Sequence, residues 1–180
     1  MTDQADLIYE RLLVVRAQAG DDAAFAELVE RFSPRLRYFL RKLLASTYDA
    51  EDTLQDVWVD VIRSLPRLND PQALVAWLYR IARDRAFARL RKMRPPEQLR
   101  EDGLVVDVTA GDETEFSEED AASIHAALDT LPPEQREVLV LRFLEGMSYE
   151  QIASIVGCQV GTVRSRLHYG KRTLRSVLEK

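Results

Sequence analysis

The sequence predicts an all-α protein: two small helical domains joined by a flexible acidic linker, the C-terminal one containing a helix-turn-helix. Three observations carry this reading. Apolar residues recur at spacings of three, four and seven along most of the chain, the period of one helix face. Ala, Leu, Arg and Glu dominate, and glycine occurs only 7 times in 180 residues, which favours helix over strand. The charge is also segregated. Residues 78–100 hold eight Arg or Lys against two acids, residues 101–120 hold nine acids and no base, and residues 160–180 hold six bases against one acid. Two basic stretches flanking an acidic tether set the domains at 1–94 and 121–180, with 95–120 between them.

Taken in order, an amphipathic helix is predicted from Leu7 to Ala19, ended by Gly20. Asp21 can cap the next helix, in which Phe25, Leu28, Val29, Phe32, Leu36, Phe39, Leu40 and Leu43 recur at helical spacing. Pro34 is expected to kink or split it, because proline removes a backbone donor and crowds the preceding turn. A third helix is predicted from about Asp49 to Ser64. The turn-rich segment PRLNDP at 66–71 follows, and a fourth, strongly basic helix runs from about Pro71 to Lys92. The Pro-, Gly- and acid-rich segment RPPEQLREDGLVVDVTAGDETEFSEED lacks a sustained period and reads as linker, with partial order expected only at LVVDV. Four shorter helices complete the chain, at 119–129, 133–144, 148–156 and 160–178.

The last two carry the most functional information. They lie in GMSYEQIASIVGCQVGTVRSRLHYGKRTL at 146–174. Ser148 and Gln151 have the spacing of a capping box. Ile152, Ala153 and Val156 form one apolar face, and Gly157 and Cys158 make the turn. Val160, Val163, Leu167 and Leu174 are the predicted buried stripe of the second helix. Its outward face is expected to carry Thr162, Arg164, Ser165, His168, Lys171 and Arg172. A helix-turn-helix with a cationic, hydrogen-bonding outer face fits a DNA major groove.

Bulk properties narrow the function classes. A net charge of −5 is low for a chain that holds DNA unaided, since phosphate contacts need Lys and Arg. It suits a protein carried to DNA by a larger partner. No run of 18 apolar residues predicts a membrane span, and the N-terminus MTDQADLIYERLL lacks the basic and apolar regions of a secretory signal. A single cysteine, Cys158, fits a reducing cytosol and is expected to be a small packing residue in the turn. It and two distant histidines, His125 and His168, make no zinc site, and no cofactor is implied. No carboxylate–His pair, activated Ser or Cys, or phosphate-cradling glycine loop points to an enzyme.

Elsewhere, Asp52, Gln55 and Asp56 lie at i, i+3 and i+4 and so share one helix face, while Leu54, Val57 and Val61 point away with Trp58 at their edge. Such a face can dock a basic partner helix; it is also what an ordinary solvated helix presents. In 77–92 the apolar set is Trp77, Leu78, Ile81, Ala82, Phe87 and Leu90, against Arg80, Arg83, Arg85, Arg89, Arg91 and Lys92. That surface suits backbone phosphates at a junction of duplex and single strand, although Trp77 can equally be a core residue.

With these segments in view, the chain resembles the small two-domain extracytoplasmic-function (ECF) sigma factors of bacterial RNA polymerase. DAEDTLQDVWV at 49–59 is similar to the family's polymerase-binding segment, WLYRIARDRAFARLRK at 77–92 to its promoter-melting and −10 helix, and LPPEQREVLVLRFLEGMSYEQIASIVGCQVGTVRSRL at 131–167 to its fourth region. The resemblance implies a cytoplasmic, non-enzymatic protein whose partners are core RNA polymerase, through its clamp coiled coil and flap, and promoter DNA. An anti-sigma factor wedged between the domains often silences such proteins, and the 95–120 linker permits it.

It further implies that Asp52, Gln55 and Asp56 contact the clamp coiled coil. Asn69, Gln72, Trp77, Arg80, Arg83, Asp84 and Arg89 would serve the opened −10 strand, the loop 66–72 forming the pocket for an extruded base. Gly161, Thr162, Arg164, Ser165, Arg166, His168, Lys171 and Arg172 would serve the −35 duplex, with Arg164 and Ser165 near base edges and Arg166, Lys171 and Arg172 on phosphates. Several positions depart from the family pattern. Asp84 stands where relatives often carry Asn, Ala88 where they carry a polar residue, His168 and Tyr169 where a bulky or basic pair is common, and Gln159 where Ser is common. Gly170 in mid-helix should cost ~1 kcal/mol relative to Ala. A stand-alone helix-turn-helix regulator would leave 49–92 without a role, and a recombinase would need a nucleophile motif that is missing.

Overall fold

A computed structural model describes residues 4–93 and 127–178, with side chains to Val177. The linker at 95–120, its LVVDV segment and most of the helix expected at 119–129 lie outside the described residues. Every regular element described is helical. The chain divides into two compact units, Met1–Pro95 and Pro96–Lys180.

The first unit holds α1 (Gln4–Gln18), α2 (Asp22–Leu43), α3 (Thr47–Ser64) and α4 (Leu74–Met93), with single 3-10 turns at Leu65–Arg67 and Pro71–Ala73. α2 packs on α1, α3 and α4, and α3 packs along α4. The core is apolar side chains at helical spacing: Leu28, Phe32, Leu36, Phe39 and Leu40 of α2 meet Leu13 and Val14 of α1, Leu54, Val57 and Val61 of α3, and Leu78, Tyr79 and Ala82 of α4. Phe39 and Tyr79 meet edge to face at 5.2 Å. Both N-caps are sequence-encoded. Asp21 accepts from the Ala24 backbone N–H, and Ser46 accepts from that of Asp49.

Two expectations change. α1 begins at Gln4 rather than Leu7, and Asp6 and Glu10 on its added and first turns both bind Arg31 of α2 at 3.0 Å. Pro34 does not split α2, which runs unbroken through it. Pro34 and Glu30, whose carbonyl the ring deprives of a donor, are both exposed, so water can satisfy that group.

The second unit holds α5 (Pro133–Leu139), which widens into a π turn at Val140–Leu144, then α6 (Tyr149–Val156) and α7 (Val160–Leu178). The helix expected over 133–144 is thus α-helical only in its first half. α7 packs against both α5 and α6. Val138, Leu139, Leu141, Met147, Ile152, Ile155, Val163, Leu167 and Leu174 fill the interior. Val160, predicted buried, is only half-buried at the start of α7.

Candidate functional site

The α6–α7 pair has the geometry its sequence encodes. Ser148 accepts from the Gln151 backbone N–H at 3.2 Å, and the Gln151 side chain accepts from the Ser148 N–H at 2.9 Å, a complete capping box. Gly157 ends α6 at φ +69°, a left-handed conformation that glycine adopts without strain. α7 then presents Gly161, Arg164, His168 and Arg172 as exposed residues on one stripe. A Cβ on Gly161 would meet nothing within 4 Å, so no packing inside the protein requires a bare backbone there. The stripe lets an external group approach the helix's first turn closely, where the helix dipole favours anions. Thr162 is half-buried beside it. The His168 ring stands edge to face with Tyr169 at 5.6 Å, and the Lys171 ammonium lies 5.1 Å from the Phe143 ring centroid.

Two residues expected among the −35 contacts, Ser165 on this outer face and Arg166 on phosphates, have their side chains turned inward. Ser165 is 3% exposed, and its hydroxyl donates back to the Gly161 carbonyl at 2.8 Å. Arg166 turns toward α5, where its Nη1 lies 3.4 Å from Glu137, a fully buried carboxylate. Arg166 therefore balances a buried charge instead of pointing its guanidinium outward. Glu137 was not singled out from the sequence, because a lone acid in REVLVL carries no sign of its partner 29 residues away. Gly170 has a packing reason: a Cβ there would sit 2.8 Å from Leu139 Cδ1. Its helix-propensity cost is the condition for α5 and α7 to approach closely.

In the first unit, Gln55 and Asp56 are exposed on α3, and Asp52 keeps 47% of its side chain exposed. Asp52 is also engaged within the fold. Arg89 of α4 donates to Asp52 at 2.6 Å and, through two nitrogens, to Asp49 at 3.0 and 2.5 Å. Arg89, expected among the DNA-facing cations, is instead committed to two carboxylates of α3. Arg85 forms a bidentate pair with Asp60 at 2.5 Å. The hydrogen bonds from Arg85 hold the Asp60 carboxyl below its ordinary 3.8, outweighing the opposing effect of burial.

Arg80 and Asp84 are exposed. Arg83 stacks over Phe87 at 4.6 Å and lies 3.7 Å from Asp84, and Trp77 is half-buried. In the preceding loop Asn69 and Gln72 are exposed, and the loop is organised by two residues that sequence reasoning passed over. The Gln18 amide donates to the Leu65 and Leu68 carbonyls at 2.9 and 2.8 Å, and the Asp70 carboxylate accepts from the Gln72 N–H at 2.9 Å. Asp70 in NDP was legible as a turn-former; Gln18, 50 residues from Leu68, was not. Among the described residues no cluster of three or more His, Cys, Asp or Glu could hold a metal ion.

The Sigma-70 region 2 family matches residues 28–95, and the Sigma-70, region 4 family matches residues 121–174. The chain is 30% identical to the RNA polymerase sigma-H factor of Pseudomonas aeruginosa over 94% of both chains. It is also 30% identical to the ECF RNA polymerase sigma-E factor of Escherichia coli over 94% of both.

The chain is an ECF sigma factor of bacterial RNA polymerase.

As such it is a promoter-recognition protein that directs promoter-specific transcription initiation with core RNA polymerase. Among solved structures, this sigma factor is similar to CnrH in complex with the cytosolic domain of CnrY, with a TM-score of 0.68 and 26% identity over 94% of this chain and 97% of that one. It is likewise similar to the sigma factor RpoE in complex with the anti-sigma factor NepR from Bartonella quintana, with a TM-score of 0.67 and 29% identity over 86% and 96%. No described helix of this sigma factor is long and apolar enough to cross a membrane.

Proposed function

We propose that the two units divide promoter recognition between them, in the cytoplasm and without chemistry of their own. Residues 1–94 dock on the clamp coiled coil of core polymerase through Asp52, Gln55 and Asp56. They also engage the opened −10 strand through the 66–72 loop and the exposed side of α4, with Asn69, Gln72, Trp77, Arg80, Arg83 and Asp84 as contacts. Residues 121–180 read the −35 duplex and meet the polymerase flap, with 95–120 as the tether. The observation that carries this reading is the single stripe of Gly161, Arg164, His168 and Arg172 on α7, exposed beside a capped, glycine-terminated α6. Arg164 is the base reader, since arginine pairs bidentately with guanine for about 1–3 kcal/mol of discrimination. Gly161, Thr162, Lys171 and Arg172 serve phosphates.

The solved relatives bound to CnrY and NepR favour an anti-sigma partner for this chain as well. The test is initiation itself. Core polymerase supplied with this chain, a promoter library and nucleotides should yield transcripts from a defined subset of promoters. Operator binding by the chain with no gain in specific initiation would overturn the reading.

A further inference from the structure

Among the exposed cations of α7, Arg164 has a neighbourhood that the DNA-reading role does not explain. Its guanidinium carbon lies 5.9 Å from the ring centroid of Tyr149, the first residue of α6. The same ring receives Arg142 at 5.1 Å. Arg142 is itself anchored, its Nη1 donating to the Met147 carbonyl at 3.0 Å. The ring cannot swing freely either: Tyr149 is half-buried and follows directly on the Ser148 cap. The next residue, Glu150, adds a negative field. Its carboxyl lies below the usual range, held there first by its own backbone N–H, then by the Ser148 hydroxyl, with the Arg164 charge contributing.

An arginine side chain carries about 2 kcal/mol of rotamer entropy, and ordering it in advance lowers the cost of a bidentate contact. A guanidinium within about 6 Å of a ring centroid gains ~0.5–1 kcal/mol at an exposed site. These terms matter more here because Ser165 and Arg166 face inward, which leaves Arg164 as the proposed base reader of the helix's first turns.

We propose that Tyr149 is a positioning residue for −35 recognition: its ring, fixed at the capped start of α6, holds the Arg164 guanidinium in the orientation that meets a base edge. The ring acts through Arg164 and needs no DNA contact of its own. This rests on the reading of Arg164 as the base reader, and the experiment separates the two.

Holoenzyme made with each full-length variant is offered a library with every −35 base pair varied. Arg164→Ala identifies the pair that Arg164 reads as the one whose preference disappears. Tyr149→Leu should then lower discrimination at that pair about two- to fivefold, the size of one exposed cation–ring contact, and leave other positions unchanged. Tyr149→Phe, which keeps the ring and loses the hydroxyl, should discriminate as the parent does. If Tyr149→Leu impairs folding, Tyr149→Met takes its place, since it retains volume without aromaticity. Uniform loss across all −35 positions, or equal loss in the Phe and Leu variants, overturns the positioning role while leaving Arg164 as reader. If Arg164→Ala abolishes no base preference, the reader assignment fails and takes the proposal with it.

Discussion

Arg166 and Arg172 look alike in the sequence, six residues apart on one basic helix, yet they sit in different physical settings. Arg172 is exposed, whereas Arg166 keeps 26% of its side chain exposed and faces a carboxylate with none. Removing one partner of a buried ion pair is destabilising, typically by ~3–5 kcal/mol. Arg166→Ala should therefore destabilise the second unit by about 2 kcal/mol, less than that range because its guanidinium is partly solvated. Circular dichroism melting should show this while tryptophan fluorescence stays unchanged, since both tryptophans, Trp58 and Trp77, lie in the first unit.

Arg172→Ala should leave stability within about 0.5 kcal/mol and flatten the salt dependence of −35 binding by roughly 0.9 in log–log slope. Equal stability of the two variants would return Arg166 to the phosphate contacts. The sequence could not separate them. A helical wheel shows one apolar stripe, but α7 is covered by both α5 and α6, and which further positions are covered depends on how those helices cross. Ser165 was misplaced for the same reason, and its hydroxyl had a local acceptor in Gly161 that spacing alone does not reveal.

At the scale of the element, α3 and α4 are joined by charge as well as by apolar contact. Arg85–Asp60 and Arg89–Asp49/Asp52 span the two helices, so the acidic face and the basic helix, which the sequence presents as separate features, are partners in one interface. The helices themselves were legible, because caps at Asp21 and Ser148 and the left-handed Gly157 mark their ends through local chemistry, whereas the Ser46 cap of α3 lies ahead of the start expected near Asp49. The cross-helix pairs were not, lying 25 to 40 residues apart in sequence.

Because the Asp60 pKa is lower in the folded state than its ordinary 3.8, the Arg85 pair stabilises the fold above that value. The contribution is lost as the pH falls through the depressed folded pKa. Asp60→Asn should lower the melting temperature of the first unit, read by tryptophan fluorescence, by an amount equivalent to ~0.5–1 kcal/mol at pH 7. In acid well below the depressed value the gap to the parent should close. A gap of the same size in acid would mean that the pair is not its source.

Over the whole molecule, the acidic balance is consistent with where the cations are spent. Arg31, Arg37, Arg85, Arg89 and Arg166 all pair with carboxylates inside their own unit. These five are withdrawn from DNA contact in a chain whose net charge is already −5, which weakens each promoter contact taken alone. Two weak contacts held at fixed spacing by polymerase gain effective concentration instead. Under the proposed division, polymerase docking precedes DNA selection and uses different residues.

The most direct test is equilibrium binding of the labelled chain to core polymerase for the parent, Gln55→Ala with Asp56→Ala, and Arg164→Ala. Gln55 and Asp56 are the cleaner choice, since Asp52→Ala would also remove one of the two carboxylates that hold Arg89. The double variant should lose about tenfold or more in polymerase affinity, at ~1 kcal/mol per contact. Arg164→Ala should bind polymerase as the parent does and lose promoter selectivity in the resulting holoenzyme. Undiminished polymerase binding by the double variant, or equal loss in both, would contradict the division of labour between α3 and α7.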